Sequence, residues 1–177
     1  MPLLRLAPHP DGPPTPLTGI EVEVERVGAR LELHFRARGR IEDVAVPAPV
    51  PQAAQRRDDL WKHTCFEAFL AAGEGGYVEF NLSPSGEWAA YQFNGYREGA
   101  TNAAVAPPEI RASALGELIE LQAAIELPEV IASMHPLRLG LSAVIEDVHG
   151  GRTYWALAHA PGKPDFHHAH AFASELP

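Results

Sequence analysis

The sequence predicts an all-β chain: an antiparallel β-sandwich of two sheets, jelly-roll-like, with one or two short helical turns. Apolar residues recur at every second position in run after run, the pattern of strands with one buried face. These runs are separated by connections rich in proline and glycine, of which the 177 residues hold 17 and 15. Helical periodicity is scarce, and many short strands punctuated by turns point to packed antiparallel sheets. At this length one domain, 1–177, is expected, large enough to bury a sizeable core.

Taken in order, Ile20 to Val27 (IEVEVERV) and Leu31 to Ala37 (LELHFRA) alternate cleanly, and Ile41 to Val46 keeps the rhythm until Pro47 stops it. Gln52 to Asp59 fits two helical turns. Asp59 to Tyr91 predicts three antiparallel strands, because Ala72-Gly73-Glu74-Gly75-Gly76 is a short glycine loop and Ser83-Pro84-Ser85-Gly86 a tight turn. The even positions Phe66, Ala68, Leu70, Val78, Phe80 and Leu82 then point to one side as core. Counting outward from the turns sets Asn81 opposite both Trp88 and Glu67. Cys65, Glu67, Phe69, Tyr77, Glu79, Asn81, Trp88 and Gln92 would share the other face. Glu117 to Leu127 and Leu137 to Ile145 are further alternating strands, Pro128 to Ser133 between them allows one helical turn, and Thr153 to His159 and Phe166 to Phe172 are the last strands expected. Phe66, Phe80, Leu82, Leu121, Ile125, Leu139 and Leu141 are the expected buried set.

A net charge of −9 argues against nucleic acid, since phosphate binding needs a basic surface, and Arg56-Arg57 is followed at once by Asp58-Asp59. The apolar start of MPLLRLAPHPDGPP is too short for a signal-peptide core, and no apolar stretch reaches the length of a membrane span. A cytoplasmic location with no membrane partner is expected. One cysteine excludes an intramolecular disulfide and fits a reducing compartment. The abundance of Ala, Arg, Pro and Gly suits a bacterial source with a GC-rich genome. Pro8 to Pro16 and Pro47 to Pro51 read as loops between strands rather than as polyproline ligands.

The polar face carries the chemistry. An ordinary half-exposed strand also alternates polar with apolar residues. Here, though, short carboxylate and amide groups stand among Trp61, Phe69, Tyr77 and Trp88, setting hydrogen bonds beside flat apolar surfaces as a polar, ring-shaped ligand requires. A catalytic reading of His63, Cys65 and Glu67 is poor, because neighbours two apart on a strand lie about 6.5–7 Å from each other. No GxSxG elbow or phosphate-binding glycine loop occurs. At the C-terminus His159, Asp165, His168 and His170 offer ligands for a divalent metal, with His168 and His170 on one face of an extended segment. The spacing matches no standard zinc signature, and no metal is expected. Trp155 sits where a late-strand tryptophan is usually core, and the nearby Arg152 offers a planar fork of donors to hydroxyls or a carboxylate.

Trp61, then Phe66-Glu67-Ala68-Phe69-Leu70, then Tyr77-Val78-Glu79-Phe80-Asn81-Leu82-Ser83-Pro84-Ser85-Gly86 resemble the central hairpins of DOMON-like domains, which are related to family 9 carbohydrate-binding modules. The similarity runs from about Ile20 to Phe172 in strand order and is most specific between Asp59 and Tyr96. It implies a sandwich of two antiparallel sheets that binds sugars or haem and catalyses nothing. It also implies a sugar held between two tryptophans, with Trp61, Glu67 and Asn81 as matching positions, Trp155 as the late partner and Arg152 beside it. Relatives are commonly exported or fused to enzymes, whereas this chain stands alone without a visible leader, which favours a soluble sugar, a nucleotide sugar or a cell-envelope precursor. The expected function is therefore non-catalytic binding of a carbohydrate or sugar-like small molecule without a cofactor, through Trp61, Glu67, Asn81, Trp88, Arg152 and Trp155. The alternatives are a haem-binding redox domain using Met134, His63, His159 or the terminal histidines, a protein-interaction domain using the same face, and a metal-dependent enzyme built on the terminal histidines.

Overall fold

A computed structural model describes residues 3–51, 55–71, 75–133 and 135–176. Among these described residues, twelve strands follow in chain order: β1 Leu3–Pro8, β2 Leu17–Val27, β3 Arg30–Gly39, β4 Cys65–Ala71, β5 Tyr77–Leu82, β6 Trp88–Phe93, β7 Thr101–Asn102, β8 Glu109–Leu115, β9 Leu118–Glu126, β10 Leu137–Glu146, β11 Arg152–Ala156 and β12 Ser174–Leu176. They form one curled antiparallel sheet in the order β7-β6-β5-β4-β10-β11-β1-β2-β3-β9-β8, with β12 added to β10. The chain is thus all-β and antiparallel as expected. Its two halves are not separate sheets, because β1 joins them: Leu3–Leu6 pair with β2 and Ala7 and Pro8 with β11. Folding the sheet back brings the inner faces together, and the rings of Phe35 on β3 and Phe66 on β4 lie 5.0 Å apart.

Period-two alternation explains the inner face. Ile20, Val22 and Val24, then Leu31, Leu33 and Phe35, then Ile119, Leu121 and Ile125 are all buried from one side, opposite Phe66, Phe80, Leu82, Leu139 and Leu141 from the other. All seven residues expected in the core are there. The outer face of β2, β3 and β9 is solvated and laced with ion pairs, the Arg36 guanidinium meeting both oxygens of Glu23 at 3.0 Å.

The outer face of the other half behaves differently. Every residue of β4 and β5 is buried, and β10 is buried at all but Arg138 and Glu146. A second apolar cluster, Phe69, Ala71, Tyr77, Phe93, Val144, Ala156, Phe166 and Phe172, lies there beneath the C-terminal segment. Gly140, opposite Phe69 on β10, permits this cover: a Cβ at that position would stand 3.0 Å from the Ala171 carbonyl oxygen. Residues 166–172 are accordingly not the strand their pattern suggested. They are irregular, with a 3-10 turn at Ala169–Ala171, and the last strand is Ser174–Leu176.

Other boundaries differ for local reasons. Ile41–Asp43 is a 3-10 turn, and from the strand expected there only Val44 bridges, to Asp147. Of the helix expected at 52–59, residues 52–54 lie outside the described residues and the remainder is not helical, Arg56 instead bridging Trp88. The α-helical turn Glu129–Ala132 falls within the stretch expected to hold one. β1 and β8 carry weak patterns: β1 ends at a proline that cannot donate, and β8 is an edge strand mostly exposed to solvent. Among the described residues no helix is long and apolar enough to cross a membrane.

Phe80 is fully buried at the centre of the inner face. Truncation to Ala should lower unfolding free energy by about 3–5 kcal/mol, read from the midpoint of urea denaturation at unchanged slope.

Candidate functional site

The turn between β5 and β6 decides what the outer face presents. Ser83 N–H donates to the Glu87 carbonyl and Gly86 N–H to the Ser83 carbonyl, both at 3.0 Å, with Gly86 at φ 87°. The loop therefore holds three residues, 84–86, one more than a two-residue hairpin, and needs a left-handed position that glycine supplies. That extra residue pairs Leu82 with Trp88 and Asn81 with Ala89, while Glu67 pairs with Asn81 as expected. One step of register flips every side chain of β6. Trp88 turns into the inner core and Gln92 leaves the polar face, and Ala89, Tyr91 and Phe93 take their places. Trp155 is likewise an inner-core residue, 3% exposed, paired with Ala143 and Pro8. Neither tryptophan reaches the outer face.

What that face holds is a cleft of about 630 Å³. Its floor is Glu67 and Phe69 from β4, Glu79 from β5 and Val144 from β10. Tyr91 and Phe93 from β6 and Tyr154 from β11 flank them, and Trp61, Arg97 and the segment carrying Lys163, Pro164, Phe166 and His167 stand at the margins. Trp61 is 45% exposed on a 3-10 turn, Leu60–Lys62, that is anchored from below by buried Leu60 against Cys65 and Ala89. Asp59 starts that turn at φ 65°, a left-handed conformation its short polar side chain tolerates, and its carboxylate accepts from Lys62 Nζ at 2.8 Å. Arg97, at φ 56°, is fixed by Asp165, which accepts from its Nη2 at 2.9 Å and also from the Tyr96 hydroxyl.

The floor is unusual in its charge. Glu67 and Glu79 are 2% and 6% exposed. Glu67 Oε2 accepts from the Ser142 hydroxyl at 2.7 Å, and Glu79 Oε1 from Asn81 Nδ2 at 2.6 Å. Both partners are neutral. Asn81 is fully buried and does not line the cleft; it orients Glu79 from beside it on the same face of β5, while its own oxygen takes a long contact from the Cys65 thiol. Burial, then the charge of Glu79, pushes the Glu67 carboxyl up to about 8. Glu79 is also raised by burial, against the opposing pull of the Asn81 hydrogen bond and Arg97. At neutral pH the pair keeps a proton. His167 moves the other way, down to about 4, because burial and the Arg97 charge disfavour its cation. The Tyr77 hydroxyl accepts from Arg97 N–H at 3.2 Å, so its own proton goes to His167 Nδ1 at 2.6 Å, leaving Nε2–H aimed at Glu79 Oε2 at 3.8 Å.

Of the residues proposed from sequence, the cleft thus brings together Trp61 and Glu67, with Asn81 beside Glu79. Arg152 begins β11 two residues before Tyr154, exposed and outside the lining. Glu79 was recognised on the polar face but not as a site residue, although it lines the floor. Tyr91 and Phe93 were hidden by the one-residue register error. Arg97, Lys163, Phe166 and His167 arrive on irregular segments that carry no periodic signal.

The metal candidates are dispersed. His159 Nε2 is hydrogen-bonded to the Ala7 carbonyl at 2.8 Å and its ring packs against His9, Asp165 is held by Tyr96 and Arg97, and the rings of His168 and His170 meet each other, with His168 also edge-on to Tyr96. Among the described residues no group of three or more His, Cys, Asp or Glu is placed to hold a metal ion. Of the haem-ligand candidates, His63 Nδ1 is 2.8 Å from Glu146 on the surface, and Met134 lies outside the described residues. Cys65 is fully buried and its thiol is pushed well up by burial, so it stays protonated.

No protein-family profile matches the sequence, and no curated protein is detectably similar to it. The fold is similar to that of a suspected carbohydrate-binding protein from Bacteroides uniformis ATCC 8492, with a TM-score of 0.63 at 15% identity, over 96% of this chain and 83% of that one. A family 9 carbohydrate-binding module from Caldicellulosiruptor kristjanssonii in complex with glucose aligns with a TM-score of 0.45 at 12% identity, over 81% of this chain and 69% of that one.

The buried carboxyl pair sets a pH dependence. Because Glu67 titrates near 8 when folded and near 4.5 when unfolded, the native state holds an extra proton between those values, and stability falls as pH rises through them. His167 acts in the opposite sense below about 6.5, where unfolding lets it take up a proton and stability falls as pH drops toward 4. Glu67→Gln should remove the first dependence only. The expected result is a variant whose melting temperature matches the parent near pH 4.5 and exceeds it by a margin that grows until about pH 8.

Proposed function

We propose that the protein is a non-catalytic carbohydrate-binding domain whose ligand site is the cleft floored by Glu67 and Glu79. The observation that carries this reading is the pairing of buried hydrogen-bonding carboxyl groups with aromatic surfaces, Trp61, Phe69, Tyr91, Phe93 and Tyr154, around one cleft. A sugar ring presents an apolar C–H face and a girdle of hydroxyls, and needs both kinds of surface. A fold shared with a suspected carbohydrate-binding protein supports the reading, as does the resemblance of Trp61, Glu67 and Asn81 to sugar-binding positions of DOMON-like domains.

The geometry favours binding over hydrolysis. Glu67 and Glu79 project from adjacent strands on the same face, each opposite the other's strand neighbour, and are nearly sealed from water. Glycosidases set their two carboxyl groups on opposite sides of the bond to be cut, with room for a water or an attacking oxygen. Side by side on one floor, these two can grip a ring from beneath.

Trp61 is the residue to change first, since its half-exposed indole lines the cleft without belonging to the core. Trp61→Ala should leave the melting temperature unchanged and weaken saccharide binding by about 1–3 kcal/mol, roughly the loss of one stacked aromatic surface. Calorimetry and tryptophan fluorescence against a broad sugar panel measure it. A panel giving neither heat nor a Trp61-dependent fluorescence change would refute the sugar reading and leave the fold untouched.

A further inference from the structure

The cleft floor lacks a positive charge. Two carboxyl groups are buried side by side, and among the described residues neither is paired with a lysine or arginine. Several of the charged and titratable groups around them are committed elsewhere. Arg97 is held by Asp165 at 2.9 Å, and the Tyr91 hydroxyl donates to Asp58 at 2.6 Å. His167 accepts at Nδ1 from the Tyr77 hydroxyl and approaches Glu79 only to 3.8 Å. Lys163 and Tyr154 line the cleft, and neither is hydrogen-bonded to Glu67 or Glu79. Burying carboxyl groups without a counter-charge is costly unless something restores the balance. Each has one oxygen satisfied by a neutral donor, Ser142 for Glu67 and Asn81 for Glu79, which fixes its orientation while leaving a second oxygen for another partner. Above them stand aromatic rings, whose faces attract a cation as well as a sugar's C–H face.

Resting on the carbohydrate reading above, we infer that the ligand is an amino sugar, a saccharide with an unacetylated primary amine whose ammonium sits on the Glu67–Glu79 pair while its ring lies against the aromatic wall. The ammonium offers three N–H donors, enough for both carboxyl groups and one hydroxyl or water. Its charge completes the pair in a setting from which water is largely excluded, where a charge-assisted hydrogen bond is stronger than a neutral one. Binding ejects the proton held at Glu67, because both carboxyl groups become carboxylates facing the cation. An N-acetyl group would remove the charge and set a methyl against the floor. A neutral hydroxyl would leave the pair half satisfied.

The test is calorimetry at pH 7 with glucosamine and its β-linked dimer, their N-acetylated counterparts, and glucose and cellobiose, on the parent and on Glu67→Gln and Glu79→Gln. The amino forms should bind at least tenfold tighter than the others. Each Gln variant should lose tenfold or more for the amino forms, a larger loss than it shows for the neutral sugars, and the heat for glucosamine should vary with the ionisation enthalpy of the buffer, reporting the released proton. Melting curves of the variants confirm that they remain folded. Equal or tighter binding of the neutral sugars, or amino-sugar binding that is indifferent to both substitutions, overturns the amino-sugar inference and leaves carbohydrate binding standing. If none of the six saccharides binds, the carbohydrate reading falls and this inference with it.

Discussion

Burial of β4 and β5 on both faces is the constraint on which the rest of the molecule depends. A strand at the centre of a curled sheet has its inner side in the core by necessity, and here Phe66, Ala68 and Leu70 fill that role. The outer side would ordinarily be wet. Instead Phe69 and Tyr77 need cover, and the C-terminal segment supplies it with Phe166, His167 and Phe172. Gly140 lets that segment come close, and the Tyr77–Phe93 stack, with ring centroids at 4.6 Å, braces the floor beneath it. Because the cover is a loop rather than another sheet, it seals one end of the face and leaves the other open. The cleft is the part of the outer face that the C-terminal segment does not reach.

Within that opening, stability alone would favour a different floor. A pair of apolar residues at 67 and 79 would extend the cluster beside Phe69 and spare the chain the desolvation of two carboxyl groups. The neighbouring residues are chosen to tolerate the carboxyl groups rather than to neutralise them. Ser142 and Asn81 provide hydrogen bonds but no charge, and Arg97 is drawn aside by Asp165. Local departures from the most stable choice of this kind are where a fold's function is expected to lie.

How much of this was legible in the sequence follows from what each feature depends on. The inner core depends on period two alone, so Phe66, Phe80, Leu121 and Leu139 could be read from alternation. The Glu67–Asn81 pairing also survived counting, even across a loop whose first three residues lie outside those described. Trp88 did not, because Ser83-Pro84-Ser85-Gly86 is compatible with two loop lengths that differ by one residue, and a strand's two faces exchange on that difference. Trp155 was drawn to the site by resemblance, against the more general tendency of a late-strand tryptophan to be core, and the general tendency held. The cover and Arg97 were beyond reach for another reason: irregular backbone is placed by contacts with residues distant in sequence, as His167 is by Tyr77, and leaves no local pattern.

The joining strand β1 has a consequence in time as well as in space. Its last two residues pair with Ala156 and Trp155, near the other end of the chain, while its first four pair with the neighbouring β2. On the ribosome, β1, β2, β3 and β9 can assemble as soon as they emerge, but the seam through Pro8 cannot close until β11 has been made. The last contacts to form are therefore among the longest in sequence, the kind whose loop-closure entropy slows folding. Until then Trp155 has no partner for its outer edge, and β11 is a strand with one side unpaired, the state in which β-rich chains associate with one another.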